Sequence, residues 1–286
     1  MRDWRMSDGY VLRGRIWPPR RAASSAFLYL HGIQSHGGWF ERSASLLAET
    51  GCAVLLPDRR GSGLNEVGRG DTPGAQRWLL DLDELGDALI RESGCQRVAV
   101  AGVSWGGKLA LLWALQRPRL VERLLLVAPG LFPAVDPGWL ARARIAASLL
   151  RGGRRAFPIP LNDPALFTDN PAGREFIAQD PLRLIAASAR FFYSSRRIDV
   201  LLARAKRGSL AVPTTALLAE RDRIIRNDPT EKWLRRVARD GPDIKYFTGA
   251  EHTLEFGVCP AAFEEALTRW ASAGTDSPRR GSARGV

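Results

Sequence analysis

The chain has 286 residues, 45% of them hydrophobic and 25% charged, which suits one large soluble domain that carries an insertion. This composition excludes a disordered chain, a collagen and a small disulfide scaffold. The formal net charge is +12 and comes almost entirely from arginine, so nucleic acid, an anionic membrane and an anionic substrate have to be considered as partners. No segment interleaves basic and aromatic residues as nucleic-acid modules do, so nucleic-acid binding is not favoured.

The cysteines and the N-terminus bear on the compartment. Cys52, Cys95 and Cys259 lie far apart and never in a C-x-x-C pair, which predicts reduced packing residues and neither a disulfide framework nor a zinc site. No apolar run of signal-peptide length precedes Ala26, and no apolar stretch is long enough to span a membrane. We therefore expect a cytoplasmic protein, with peripheral membrane contact left open.

In chain order, the pattern first predicts a hairpin and then alternating strands and helices. Two extended segments, 4–6 and 10–17, flank Ser7-Asp8-Gly9, which is a hairpin turn signal. Short apolar runs, typical of strands buried on both faces, then alternate with amphipathic segments. The predicted elements are strand 26–30, helix 39–50, strand 53–56, helix 78–92, strand 97–103, helix 104–116 and strand 124–128. Such alternation indicates a doubly wound, mostly parallel sheet.

The alternation stops after Pro129-Gly130 and resumes near residue 214. We predict an inserted helical cap over residues 131–210, with helices at 139–150 and 181–205 and no strand between them. The later elements are strand 214–219, helix 228–239, strand 244–248 and helix 260–271. The core domain is therefore predicted to comprise residues 1–130 and 211–274. Residues 275–286 have little to bury and are predicted to be a disordered tail.

A candidate nucleophile lies at the end of the predicted strand 97–103. Gly102-Val103-Ser104-Trp105-Gly106 fits G-x-S-x-G at a strand-to-helix junction, the context in which this motif presents a serine on a strained turn. A serine hydroxyl needs a histidine base that a carboxylate orients. His252 follows the last predicted strand, at the sheet edge where Ser104 is expected, and is the candidate base.

The orienting carboxylate is expected after a strand that lies between the nucleophile and the histidine in the chain. Residues 217–222 offer Glu220 and Asp222. Asp222 is favoured, because Glu220 still touches the strand and has less freedom to reach the imidazole. Asp228 fits the N-cap of the next helix instead, with Pro229 at the first helical position.

The oxyanion of an acyl-transfer intermediate needs preorganised donors. Backbone amides just after the nucleophile and in an early strand-end loop serve this purpose, and Trp105 and Ile33 occupy those positions. Gly32 allows the loop backbone to approach closely, and the start of the helix after Ser104 adds a favourable dipole.

These motifs resemble the α/β-hydrolases, in particular the lysophospholipase and monoacylglycerol-lipase-like group with its serine aminopeptidase relatives. The resemblance covers roughly residues 3–273. Besides the Ser104 motif, it is carried by Leu30-His31-Gly32 with His36, Pro57-Asp58-Arg59-Arg60-Gly61-Ser62-Gly63, Asp222-Arg223-Ile224-Ile225 and Gly249-Ala250-Glu251-His252. It implies the α/β-hydrolase fold, a Ser104–Asp222–His252 triad and an oxyanion hole made by the Ile33 and Trp105 amides.

Several positions depart from common patterns of that family. They are the stretch Gln34-Ser35-His36, where many relatives have Gly-Glu-His, and Ser62, Val103 and Trp105, all expected along the pocket floor and mouth. We accordingly predict substrate contacts for the early loop, namely for His31, Gly32, Gln34 and His36.

Residues and resemblance together predict a serine hydrolase that cleaves small-molecule carboxylic esters through an acyl-enzyme, in the manner of a carboxylesterase or lysophospholipase. No cofactor or metal is expected. An acyltransferase or thioesterase with the same triad, and a catalytically silent hydrolase-like binding protein, are the alternatives. The predicted cap carries 13 basic and six acidic residues, which suits either a solvated helical face or a basic rim that attracts anionic esters.

Overall fold

The computed structural model describes residues 1–19, 23–257 and 260–273. The predicted tail and Cys259 lie outside these residues. The strands are β1 (Arg2–Arg5), β2 (Val11–Trp17), β3 (Ala26–Leu30), β4 (Ala53–Pro57), β5 (Val98–Val103), β6 (Val121–Val127), β7 (Ala156–Pro158), β8 (Ala186–Ser188), β9 (Thr214–Ala219) and β10 (Asp243–Phe247). The helices are α1 (Glu41–Glu49), α2 (Ala75–Ser93), α3 (Trp105–Gln116), α4 (Trp139–Leu149), α5 (Pro171–Gln179), α6 (Ala189–Ala203), α7 (Asn227–Val237) and α8 (Pro260–Ala273).

The main sheet has the spatial order β1-β2-β4-β3-β5-β6-β9-β10. β2 is antiparallel to both β1 and β4, whereas every neighbouring pair from β4 to β10 is parallel. β3, β4 and β5 are buried along their whole length, as their continuous apolar sequences require. The predicted mostly parallel sheet with an N-terminal hairpin is therefore confirmed.

Two predicted helices begin elsewhere. The predicted helix 39–50 is divided: a 3-10 turn at Gly37–Trp39, capped by His36, precedes α1. The prediction of Asp228 as an N-cap is wrong, because Arg226 occupies the N-cap of α7 and Asp228 lies in its first turn. The Asn227 side chain donates to the Ala219 carbonyl at 2.7 Å, which ties the start of α7 to the end of β9.

The segment predicted to form a cap, residues 131–210 and called the cap below, is less helical than predicted. Residues 181–205 do not form one helix: β8 pairs antiparallel with β7, and α6 begins only at Ala189. The Ser188 hydroxyl accepts the Phe191 amide at 3.0 Å and so caps α6 at that point. α5 was not predicted, although Asn170 caps it in the same way and Pro171 is its first residue. Both predictions, of a long helix and of no strands, are thus wrong.

Buried polar contacts hold the cap against the loop after β3. The Asp180 carboxylate accepts the Trp39 indole N–H at 2.6 Å and the His36 Nε2 at 3.0 Å. The Arg183 guanidinium donates to the Gln34 side-chain oxygen at 3.0 and 3.1 Å. These contacts fix the position of the cap above the C-terminal ends of the parallel strands.

None of the described helices is both long and apolar enough to cross a membrane.

Candidate active site

Ser104 occupies the single residue between β5 and α3, in a strained backbone conformation. Its φ is 50° and its ψ is −121°, a region that residues with a side chain rarely adopt. The surrounding backbone maintains this conformation: the Ser104 amide donates to the Val127 carbonyl at 2.9 Å, and its carbonyl accepts the Gly130 amide at 2.7 Å. The turn presents the hydroxyl at the C-terminal edge of the sheet.

The two motif glycines leave room for this turn. A Cβ atom on Gly106 would lie 2.4 Å from the Leu30 carbonyl oxygen, and one on Gly102 would lie 2.7 Å from the Gly107 Cα. Both distances are far inside van der Waals contact with backbone atoms that cannot easily move. Any larger residue at either position would therefore push α3 away from the sheet and displace Ser104.

The three predicted catalytic side chains form one hydrogen-bonded chain. His252 Nε2 lies 2.9 Å from Ser104 Oγ, and His252 Nδ1 lies 2.8 Å from Asp222 Oδ2. The other carboxylate oxygen, Asp222 Oδ1, accepts the Ile224 and Ile225 amides, both at 2.8 Å. An acceptor fixed in this way holds the proton of the imidazole on Nδ1 and leaves Nε2 free to accept the hydroxyl proton.

Neither competing acid can take the place of Asp222. Glu220 accepts the Gly249 amide at 2.7 Å and is committed to the loop between β10 and His252. Asp228 lies within the first turn of α7. The structure therefore brings together the triad that the sequence favoured.

The predicted oxyanion donors are the backbone amides of Ile33 and Trp105. Within the described residues, neither N–H has a hydrogen-bond acceptor, so both are available to a ligand. Gly32 lies directly against Ser104, since a Cβ atom there would lie 3.4 Å from the Ser104 Cβ. A glycine at this position keeps the space between the hydroxyl and the Ile33 amide open.

The Gly32–Ile33 peptide, which carries one of these donors, is held from its carbonyl side. Arg59 Nη1 donates to the Gly32 oxygen at 2.9 Å and Nη2 to the Ile33 oxygen at 3.0 Å. His31 Nε2 accepts the Arg59 amide at 2.8 Å, so Nδ1 carries the ring proton and donates to the Gly32 oxygen, also at 2.8 Å. Two donors on the carbonyl fix the peptide plane and polarise its N–H.

Burial lowers the pKa of both side chains that hold this peptide, Arg59 and His31. It lowers the pKa of the Arg59 guanidinium to about 9, so the group is still protonated at neutral pH. Burial, reinforced by the charge of Arg59, also holds the pKa of His31 well below its usual value of 6.5. A neutral His31 matches its hydrogen bonds, because Nε2 must accept.

A cavity of about 750 Å³ opens from Ser104 between the core and the cap. Much of its wall is apolar, including Leu131, Phe132, Ile145, Leu161, Phe192 and Ile224. Its charged lining residues are Lys108, Asp136, Arg142, Arg196, Asp199 and Arg226. A largely apolar cavity with charged groups at a few positions is typical of a site for a small molecule.

The residues predicted to contact substrate do not line this cavity. His31 holds the Gly32 carbonyl, Gln34 and His36 bind the cap, and Gly32 lies behind the Ser104 hydroxyl. Conversely, the sequence did not single out Arg59 or Lys108. Lys108 had a detectable signal, because it lies four residues after Ser104 and therefore on the same face of α3. For Arg59 the sequence offered no signal beyond its place in the motif at residues 57–63.

A strained serine between a parallel strand and a helix, with a histidine and an aspartate from later strand ends, defines the α/β-hydrolases. The sequence gives the same answer: the family model described as serine aminopeptidase, S33, matches residues 21–257. The chain belongs to that family, and the predicted membership of the α/β-hydrolases is confirmed.

The chain is also similar to individual relatives and solved structures. It is 23% identical to human monoglyceride lipase over 282 residues, covering 95% of this chain and 92% of the relative. A soluble variant of monoglyceride lipase from Saccharomyces cerevisiae superimposes with a TM-score of 0.84 at 18% identity, over 96% of each chain. A carboxyl esterase from Bacillus coagulans gives a TM-score of 0.78 at 14% identity, over 96% of this chain and 97% of the esterase.

Proposed function

We propose that this protein hydrolyses carboxylic esters through an acyl-enzyme on Ser104. The observation that carries the proposal is the unbroken chain from Asp222 through His252 to Ser104 Oγ, with distances of 2.8 and 2.9 Å, next to two unoccupied backbone donors. The names of its relatives, monoglyceride lipase and carboxyl esterase, agree with ester substrates.

The proposed reaction has two stages. His252 Nε2 accepts the Ser104 proton while Oγ attacks the ester carbonyl, and the Ile33 and Trp105 amides stabilise the resulting oxyanion. The imidazolium then gives its proton to the departing alcohol, which leaves the acyl group on Ser104. In the second stage His252 takes a proton from water while the water oxygen attacks the acyl carbonyl. The imidazolium then returns a proton to Ser104 Oγ as the bond to the acyl group breaks, which releases the acid and restores the resting enzyme.

A fluorophosphonate probe tests the nucleophile. The wild type is expected to be labelled and to hydrolyse p-nitrophenyl esters, with a preferred chain length set by the apolar cavity, whereas Ser104→Ala is expected to do neither. Ser35→Ala is the matched control, because Ser35 is another buried serine and its hydroxyl has no hydrogen-bond partner among the described residues. Labelling that persists in Ser104→Ala would refute the assignment.

The same assay separates the remaining alternatives. An acyltransferase would form the acyl-enzyme but release product faster when an acceptor alcohol is added, and a thioesterase would favour the matched thioester. A silent binding protein would not be labelled at all.

A further inference from the structure

The cavity contains one buried cation close to the nucleophile. Lys108 lies one turn after Ser104 on α3, and its side chain is only 7% exposed. Its ammonium donates to Asp199 Oδ1 at 2.7 Å and to Ser195 Oγ at 3.3 Å, both on α6 of the cap. An ammonium has three donors, so one remains without an acceptor among the described residues.

The carboxylate that pairs with Lys108 is shared with a second cation. Asp199 also faces Arg196, whose Nη1 lies 3.8 Å from Asp199 Oδ2, so one carboxylate serves two cations. Of the described residues on the cavity wall, four are cationic and only two are acidic. Three of these cations, Arg142, Arg196 and Arg226, are exposed, whereas the Lys108 side chain is buried.

Attachment of the cap does not account for a buried lysine here. Asp180 and Arg183 already fasten the cap to the core, and Arg190 forms a further ion pair with Asp71. Removing an ammonium from water is costly, and an apolar pair of the same volume would join α3 to α6 at least as well. A cation retained at a cavity wall with an unused donor is better explained by an anionic ligand.

We infer that Lys108, with Ser195, forms a subsite for an anionic group of the ester substrate, such as a carboxylate or phosphate. The inference rests on the proposed ester hydrolysis and adds the class of ester. Ser195 also accepts the Trp105 indole N–H at 2.9 Å, so its orientation is fixed from the residue that follows the nucleophile. Asp199 competes with the incoming anion and sets the affinity.

Matched ester pairs test the subsite. For an anion on the acyl side, mono-p-nitrophenyl glutarate is compared with p-nitrophenyl valerate. For an anion on the alcohol side, the butyrate ester of p-hydroxybenzoic acid is compared with that of its methyl ester. The measured quantity is the anionic-to-neutral ratio of kcat/KM, and comparing each variant with the wild type cancels the intrinsic reactivity of the esters.

Lys108→Met is expected to lower this ratio about tenfold in at least one pair, the size of one charge-assisted hydrogen bond. Asp199→Asn, which frees the ammonium, is expected to raise it. The double variant Lys108→Met/Asp199→Asn leaves no unpaired buried charge, because Arg196 is exposed, and should still show the lowered ratio if the single variant folds poorly. Lys206→Met removes an exposed cap lysine outside the cavity wall and should leave the ratio unchanged.

The pair that responds identifies which side of the ester carries the anion. A purely structural role for Lys108 predicts that each variant changes both members of a pair alike, and an unaltered ratio in both pairs overturns the inference. A wild type that hydrolyses none of the four esters and resists fluorophosphonate contradicts the proposed function instead.

Discussion

Arg59 should act on the reaction without touching the substrate. It does not line the cavity, yet it holds both carbonyls that flank the Ile33 amide, at 2.9 and 3.0 Å. Arg59→Met leaves the Ile33 donor in place but unlocks the peptide that carries it. Complete removal of an oxyanion donor costs about 10²–10³ in kcat, so we expect a smaller loss of about 10–100-fold, or roughly 1.4–2.8 kcal/mol. KM for a neutral ester should change little, because ground-state contacts persist.

The kcat and KM of Arg59→Met are measured with a neutral p-nitrophenyl ester, and the measurement needs a control for the loss of a buried guanidinium. Arg123 provides it: this residue is also buried, donates to the Ala271 carbonyl at 2.8 Å and lies over the Trp270 ring, away from the active site. Both variants should lower the urea midpoint of unfolding, but only Arg59→Met should lower kcat. Arg59→Lys should recover part of the rate, since one ammonium cannot reproduce the two-pronged contact. A folded Arg59→Met enzyme with a wild-type kcat would refute this role.

Three further outcomes are expected. Asp222→Asn should reduce kcat by about 10⁴, as in other triads, whereas Glu220→Gln and Asp228→Asn should stay within a few-fold of wild type. A near-normal kcat in Asp222→Asn would exclude Asp222 as the acid that orients His252. The free energy of unfolding in urea should fall as the pH drops through about 6.5, because His31 becomes protonated in the unfolded chain while the buried ring, with its lowered pKa, stays neutral. His31→Gln should weaken this pH dependence. An equal slope of unfolding free energy against pH in both proteins would contradict the prediction. Turnover of anionic esters should fall with salt more steeply than turnover of neutral ones, because Arg142 and Arg196 on the cavity wall are exposed and salt screens their attraction for an anion. An equal salt dependence for both kinds of ester would mean that the charge of the cap does not attract the substrate.

The triad was predictable because topology gathers its members. Ser104, Asp222 and His252 each follow a strand of the parallel sheet, and the carboxyl ends of parallel strands meet at one edge. The period of the apolar residues was enough to locate those strands, although their bounds moved by up to three residues. Nothing about the cavity was needed to place the three side chains in contact.

The cap and the substrate contacts could not be predicted in the same way, because they depend on contacts between distant segments. The Ser188 amide donates a hydrogen bond to the Gly70 carbonyl, and the Leu184 amide donates one to the Gln34 carbonyl. Loops of the core therefore determine the local structure of residues 181–188. Helical propensity in that segment is overridden by these partners. Arg183 binds the Gln34 side chain and Asp180 binds the His36 ring, so neither side chain reaches the cavity.

Helix α3 separates the chemistry of the site from its selectivity. Its N-terminus carries Ser104 and the Trp105 amide, and it packs against the Leu30 carbonyl at Gly106, so backbone contacts fix the position of the Ser104 turn. Lys108 projects from the same face one turn later, where its ammonium binds the Ser195 and Asp199 side chains of α6. A substitution at position 108 can therefore change which esters are accepted without moving the nucleophile. This division explains how a fold with a fixed triad can accommodate a charged wall within about 6 Å of helix rise from the reacting serine.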